Sequence, residues 1–205
     1  MIGARLLGLM AIFFATSGVS VITGSTSIIT VPAMFQFGID SRVAVATNMF
    51  ALTLMSLGGT VPFLLPPVLN RRRLPLLIVL TLLGSAAGAF LLLVISSRAL
   101  PLIVSAATIG VSLFSVFYRR SGIELSSGPP SRSLEMAGYA TTFILGIYGG
   151  LFSGGYVTIL TAIFVAMFRT SFLEAIATTK LINIFSSGIA TVIFMRRGIV
   201  DYRLG

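Results

Sequence analysis

The sequence predicts an all-α integral membrane protein made of two repeated units with broken helices. Three observations support this fold class. The 205-residue chain is 56% hydrophobic and 9% charged, with a mean hydropathy of +1.06, whereas a soluble domain carries about 25% charged residues. Several of its apolar runs reach the roughly 20 residues that cross a bilayer. The second half of the chain also resembles the first half after a shift of 131 residues.

The first apolar piece covers residues 6–37 and is interrupted by polar residues at 23–27. As a single helix it would be about 48 Å long at 1.5 Å per residue, which exceeds a hydrocarbon core of about 30 Å. Two complete crossings would require about 40 residues. We therefore predict a helix broken at residues 23–27, either as a re-entrant hairpin or as a bent span.

Three apolar runs of spanning length follow, at residues 43–65, 74–95 and 100–118. Small residues at 84–88 predict a face for close helix packing. Residues 121–133 contain glycine, serine, two prolines and mixed charges, which is typical of a loop. We therefore assign one polytopic domain, with a first unit at about 1–120, a loop at 121–133 and a second unit at about 134–205.

The second unit starts the same pattern again. The apolar residues 134–152 are interrupted at residues 153–155, and the apolar character resumes over residues 156–168. A run of spanning length follows at residues 171–195. The two spans that complete the first unit have no counterpart before residue 205, so the second unit is predicted to be truncated.

The repeat is seen when residues 18–63 are placed over residues 149–194 without a gap. The glycine breaks, the short loops and an Ala-x-Ala-Thr sequence at residues 44–47 and 175–178 then coincide. This coincidence indicates a true duplication of the chain.

The arginine positions leave the relative orientation of the two units open. If each broken helix is a hairpin, the basic residues in the connections divide six against seven between the two sides, which favours neither orientation. If each broken helix crosses once, they divide ten against three, which is a positive-inside pattern for parallel units. Segment lengths favour the inverted arrangement.

The run at residues 171–195 carries the main candidate site, because it holds polar residues where a bilayer penalises them. Lys180, Asn183 and Ser187 are spaced i, i+3 and i+7 and therefore share one helix face. A central charge costs about 2.5–3.5 kcal/mol on insertion scales, so a lysine without an intramembrane carboxylate favours an anionic ligand. The alternatives are that Lys180 reaches the interface and that Asn183 bonds a neighbouring helix.

The two breaks supply further candidate contacts. Broken helices leave backbone N–H groups and positive dipole ends near the midplane, which suit an anion. The candidate substrate-binding residues in and after the breaks are Gly24, Ser25, Thr26, Ser27, Thr47, Asn48, Gly154, Gly155, Tyr156, Thr178 and Thr179. Helix packing is the alternative interpretation for the polar residues at 47–48 and 178–179. Close packing is the alternative for the glycines of the breaks, and space filling is the alternative for Tyr156.

Composition excludes several classes of function. The chain has no cysteine and no histidine, which removes thiol chemistry, imidazole catalysis and the usual zinc ligands. Most arginines lie between apolar runs, so the net charge of +9 indicates membrane topology rather than nucleic-acid binding. We expect no enzyme activity, no cofactor, no metal site and no nucleic-acid partner.

Two groups of motifs resemble a known family. The first group comprises Gly24-Ser-Thr-Ser-Ile-Ile-Thr-Val-Pro32, Phe37-Gly-Ile-Asp40 and Ala44-Val-Ala-Thr47. The second and more specific group comprises Gly149-Gly-Leu-Phe-Ser-Gly-Gly155, Ser171-Phe-Leu-Glu-Ala-Ile-Ala-Thr-Thr-Lys180, Asn183 and the stretch from Phe194 to Asp201. On these motifs the sequence resembles the sulfite exporter TauE/SafE family, also described as the 4-toluenesulfonate uptake permease family.

The resemblance implies a multi-pass secondary transporter of the bacterial plasma (inner) membrane, which moves sulfite, sulfonates or other small sulfur-containing or organic anions. It also implies two inverted repeats whose broken helices enter the membrane as hairpins. The expected partners are a small anionic substrate and the lipid bilayer, while a coupling ion (H+ or Na+) and a homo-oligomer are left open. The alternative, suggested by the absent spans, is a truncated non-transporting membrane protein that assembles with or regulates a partner. A channel is also compatible with the sequence.

Overall fold

The computed structural model describes Gly8, Phe14 and residues 26–64, 69–120 and 128–204. These residues form seven α-helices and no β-strand. The helices are α1 (Ser27–Gln36), α2 (Ser41–Leu64), α3 (Leu74–Val94), α4 (Leu100–Arg120), α5 (Arg132–Leu151), α6 (Tyr156–Phe168) and α7 (Phe172–Arg196). Four of them, α2, α3, α4 and α7, contain stretches that are long and apolar enough to cross a membrane. The predicted all-α membrane class is therefore confirmed.

The predicted apolar runs match α2 to α7 to within two residues at each end. The predicted second break is also present, since residues 152–155 separate α5 from α6. Most of the first broken piece, including the candidate residues Gly24 and Ser25, lies outside the described residues, as does the loop at 121–127.

Polar side chains fix where several of the apolar helices begin. Ser171 accepts a hydrogen bond from the backbone N–H of Glu174 at 3.2 Å, and Ser131 does the same for Leu134 at 3.3 Å. Serine at this position satisfies a backbone donor that the helix leaves unpaired. The Glu174 carboxylate in the first turn adds a favourable interaction with the helix dipole.

The chain reverses direction between α5 and α6, so that the two helices pack side by side. A Cβ on Gly149 would lie 2.9 Å from the Tyr156 ring, and a Cβ on Gly138 would lie 2.7 Å from the Phe168 ring. The residue number of the contact on α5 falls as the residue number on α6 rises, so the two helices are antiparallel.

The long helices α2 and α7 also run antiparallel. Thr53 and Thr191 share a hydrogen bond at 3.0 Å, and Asn183 donates to Ser56 at 2.7 Å. The residue number thus rises on α2 while it falls on α7. This seam is polar, since hydroxyl and amide groups form its contacts.

The helices α3 and α5 approach each other more closely, backbone against backbone. A Cβ on Gly88 would overlap the carbonyl group of Ile147, and a Cβ on Gly150 would overlap the backbone of Ser85. Glycines spaced four residues apart on both helices permit this contact, as in small-xxx-small packing. The predicted close-packing face at residues 84–88 is confirmed.

Two sets of contacts mark opposite ends of the bundle. At the end that we call the first face, Arg73 donates to Glu135 at 2.9 Å and to the carbonyl of Phe168 at 3.3 Å. At the second face, Arg42 donates to the carbonyl of Ile95 at 2.6 Å. The short helix α6 therefore ends at the first face, whereas α1 ends near the second face, where α2 begins.

Candidate functional site

The start of α1 and the break between α5 and α6 meet inside the protein at Ser27 and Ser153. Ser27 is the first residue of α1, and Ser153 lies between α5 and α6. Their hydroxyl oxygens are 2.9 Å apart, and both residues are buried. Gly154 lies beside the same helix start, because a Cβ on it would be 3.2 Å from the Ile28 side chain. The N-terminal ends of α1 and α6 thus converge at this pair, which we call the serine bridge.

Asn48 of α2 holds one side of the serine bridge. Its amide nitrogen donates to the hydroxyl of Ser27 at 2.8 Å, and its amide oxygen accepts from the hydroxyl of Thr30 at 2.7 Å. Asn48 is buried. Because its two ends bond different partners, the amide connects Thr30, Asn48, Ser27 and Ser153 in one continuous chain of hydrogen bonds.

A related contact occurs in the second half of the chain. The hydroxyls of Thr161 and Thr179 are 3.0 Å apart and connect α6 to α7. Both this pair and the pair of Thr30 and Asn48 are separated by 18 residues. Each joins a short helix to the long helix that follows it. The neighbouring candidate Thr178 is also buried.

Close packing explains the two glycines of the second break. Gly155 has a left-handed φ of 75°, and a Cβ on it would overlap Val111 of α4. A Cβ on Gly154 would overlap the ring of Phe152. The Tyr148 hydroxyl donates to the carbonyl of Gly154. These contacts hold the break in one conformation.

Lys180 and Asn183 of α7 face α2. Asn183 donates to Ser56, and the Lys180 ammonium nitrogen lies 3.8 Å from the place where a Gly59 Cβ would be. Ser187 donates to the backbone carbonyl of Asn183 at 2.7 Å. Lys180 and Asn183 therefore lie on the same seam between the two long helices.

Lys180 lies at a different depth from the serine bridge. Tyr156, the first residue of α6, is adjacent to Ser186 of α7. Ser186 is six residues after Lys180, which corresponds to about 9 Å along the helix axis. Since α7 begins at the first face, Lys180 is closer to that face than the break is.

A second group of hydroxyls lies around Tyr156. Ser186 and Ser85 are 2.6 Å apart, and Ser85 donates to the carbonyl of Gly146 at 3.1 Å. The hydroxyls of Tyr156 and Thr81 are buried next to one another. Within the part of the chain that the structure describes, neither hydroxyl meets the geometry of a hydrogen bond, although Thr81 and Ser186 both lie close to the Tyr156 hydroxyl.

Two other candidates make contacts that do not involve the serine bridge. The Thr47 hydroxyl accepts the backbone N–H of Asp201 at 3.0 Å and so attaches the segment after α7 to α2. Thr26 precedes α1, and its carbonyl accepts the N–H groups of Ile29 and Thr30. Both residues are buried.

Sequence reasoning did not select Ser153, Thr30 or Ser56 as site residues. The repeat contained a signal for two of them, because the shift of 131 residues places Thr30 on Thr161 and Ser56 on Ser187. Ser153 lies within the predicted break, next to the selected glycines.

No carboxylate side chain lies at the site among the residues that the structure describes. Among the described residues, the acidic ones lie in loops or in first helical turns, namely Asp40, Glu135, Glu174 and Asp201. The converging N-terminal ends of α1 and α6 carry partial positive charge. In the same part of the chain, no group of three histidine, cysteine or acidic residues could hold a metal ion. The arrangement is therefore suited to a ligand that accepts hydrogen bonds.

Comparison with known proteins places these features in context. Residues 9–205 match the profile of the family described as Sulfite exporter TauE/SafE. A probable membrane transporter protein of Haemophilus influenzae is 25% identical over 209 residues, covering 100% of this chain and 80% of that protein. The probable membrane transporter protein YfcA of Escherichia coli K12 is 25% identical over 210 residues, covering 100% of this chain and 76% of that protein. No solved structure shows a significant match.

Proposed function

The chain belongs to the sulfite exporter TauE/SafE family, and on this premise we propose that it is a secondary transporter of small anions in the bacterial plasma membrane. The proposed substrates are sulfite, sulfonates and related sulfur-containing or organic anions. Family membership favours transport over catalysis. The observation that carries the proposal is the convergence of two helix N-termini at the serine bridge.

We interpret the two halves as inverted repeats. The shift of 131 residues places α1 over α6 and α2 over α7. It also superposes the hydrogen bonds of Thr30 with Asn48 and of Thr161 with Thr179. The antiparallel packing of α2 against α7 supports opposite orientations of the two units, as in many secondary transporters.

The short helices support re-entrant hairpins. With 10 and 13 residues, α1 and α6 are about 15 Å and 20 Å long, which is less than a hydrocarbon core of about 30 Å. A left-handed residue follows each short helix at equivalent positions, namely Gly38 with φ of 81°, two residues after α1, and Arg169 with φ of 51°, directly after α6. Each short helix would then begin inside the membrane and return to its own face.

The chemistry of the breaks favours an anion. Two helix N-termini present backbone N–H groups and positive dipole ends, and Ser27 and Ser153 add hydroxyl donors. Gly154 and Gly155 pack against Phe152 and Val111 and so hold the break in the conformation that brings these donors together. Lys180 supplies a full positive charge between the first face and the bridge, where it would attract the anion during entry or exit.

The experiment that tests this function measures anion binding to the purified chain. A ligand that binds the folded state stabilises it by about 2.7 kcal/mol at 100 times its Kd. Melting temperatures are recorded with sulfite, small sulfonates, sulfate, chloride and phosphate. We expect selective stabilisation by a sulfur oxyanion or a sulfonate, and at least tenfold weaker binding in Lys180→Met.

Arg197→Met is the matched control, because it removes one positive charge from the exposed end of the same helix. Its anion binding should equal that of the unmodified protein. A folded protein that no anion stabilises would refute the proposal.

Uptake into proteoliposomes then separates transport mechanisms. Labelled anion should accumulate when a proton or sodium gradient is imposed, and the gradient that drives uptake identifies the coupling ion. Flux that follows only the gradient of the anion itself would indicate a channel and overturn secondary transport.

A further inference from the structure

We propose that Asn48 is a positioning residue, which orients Ser27 so that the serine bridge keeps one hydroxyl proton available for a bound anion. The inference rests on the proposed anion transport and concerns the same site. It assigns different tasks to residues that sequence reasoning grouped together, since Asn48 acts through Ser27 and the serines contact the ligand.

The direction of the hydrogen bonds supports this assignment. The Thr30 hydroxyl lies 2.7 Å from the Asn48 oxygen and 3.2 Å from the Thr26 carbonyl, and its proton is assigned to the shorter bond. The Asn48 nitrogen then donates to Ser27. Ser27 therefore accepts from Asn48 and does not donate its own proton to it. The two serines together have two hydroxyl protons, and the bond between them uses one. The other proton has no partner among the described residues, and it lies at the point where the two helix N-termini meet.

An acceptor in place of the amide nitrogen would reverse this effect. It would take the proton of Ser27, and the bridge would then offer lone pairs where an anion needs a donor. The amide of Asn48 is thus suited to an anionic ligand, because it can accept from Thr30 and donate to Ser27 at the same time.

The second half of the chain shows that helix packing alone does not require an amide. Thr179 occupies the position equivalent to Asn48, and it bonds Thr161, the equivalent of Thr30. A single hydroxyl therefore suffices to join the short helix to the long helix. Asn48 has in addition a second arm, which reaches Ser27.

This asymmetry provides the test variant. Asn48→Thr copies the second-half pair, so it keeps a hydroxyl for Thr30 but removes the arm to Ser27. We expect the Kd for sulfite or methanesulfonate, measured by equilibrium binding to the purified full chain, to rise about tenfold. Asn48→Ser provides a second test of the same kind if the first variant does not fold.

Thr53→Val is the matched control. It removes a hydroxyl from the same helix and breaks its bond to Thr191, but it leaves the serine bridge intact. Its Kd should remain within twofold of the unmodified value. A tenfold increase in this control would show that any loss of an α2 hydrogen bond weakens binding, and would overturn the special role of Asn48.

A double-mutant cycle distinguishes positioning from a purely structural role. Ser27→Ala should raise the Kd about tenfold, and Asn48→Thr should add less than twofold in that background, because its effect passes through Ser27. If the two substitutions together raise the Kd about 100-fold, or if the Asn48→Thr protein binds with the unmodified Kd, the inference is overturned. An unmodified protein that binds neither anion would instead refute the proposed function.

Discussion

Ser27 and Ser153 are separated by 126 residues in the chain, yet their hydroxyl oxygens lie 2.9 Å apart. The contact brings the N-terminal ends of two half-length helices together inside the bundle. Like ends of helix dipoles repel each other, and an anion between them relieves that repulsion. The same contact therefore connects the packing of α1 and α6 to the chemistry of the proposed ligand.

Gly88→Ala is expected to destabilise the protein by about 2–3 kcal/mol, since overpacking of this kind forces backbone shifts. The added methyl group would overlap the Ile147 carbonyl of the neighbouring helix. Gly110→Ala is the control, because a Cβ there meets nothing within 4 Å. Equal free energies of unfolding for the two variants in detergent micelles would contradict the close contact of α3 and α5.

Gly38→Ala should cost about 1 kcal/mol for conformational reasons alone. The residue has φ of 81°, and a Cβ there would meet nothing within 4 Å, so the cost arises from the left-handed backbone. Gly58→Ala also introduces no contact, but it lies within α2 and should stabilise the helix by up to about 1 kcal/mol. If both substitutions change the free energy of unfolding in the same direction, this explanation is wrong.

Tyr156→Phe is expected to raise the stability by about 1 kcal/mol. Burying a hydroxyl without a partner costs about 1–3 kcal/mol, and the Tyr156 hydroxyl is buried in this way among the described residues. Tyr148→Phe should have the opposite effect, because the Tyr148 hydroxyl donates to Gly154. A loss of stability in Tyr156→Phe, measured by thermal unfolding, would show that its hydroxyl is satisfied.

Arg73→Met should destabilise the protein by about 1–2 kcal/mol. Its side chain is 19% exposed, pairs with Glu135 and lies over the Phe168 ring at 5.3 Å, so it combines an ion pair with a cation–π contact. The neighbouring Arg72 is exposed, and Arg72→Met should change stability by less than about 0.5 kcal/mol.

Salt separates the two contributions of Arg73. The ion-pair part of the loss should decrease as the ionic strength rises, while the ring contact persists. If Arg72→Met and Arg73→Met have equal effects at low salt, the contacts at the first face do not stabilise the fold.

The sequence alone predicted the helices well because their signal is local. Long apolar runs end at charged or capping residues, so the bounds of α2 to α7 were predicted to within two residues. The break at residues 153–155 was also visible, because its serine and glycines interrupt an apolar run.

The contacts between distant helices could not be predicted in the same way. The spacing of Lys180 and Asn183 predicts a shared face, but it does not reveal the depth of that face relative to another helix. The partners of Asn48 likewise depend on how α1 packs against α2, and the serine bridge depends on how the two halves of the chain meet.

The glycine contact between α3 and α5 restricts how the molecule can move. One helix belongs to the first half of the chain and the other to the second, and their backbones touch without intervening side chains. If α3 slid along α5 by one helical turn, residues with side chains would meet the opposite backbone. We therefore expect the two helices to move as one unit. In the proposed transport cycle, alternating exposure of the bridge to the two sides would occur by rearrangement along α2 and α7, where hydroxyl and amide groups can exchange partners.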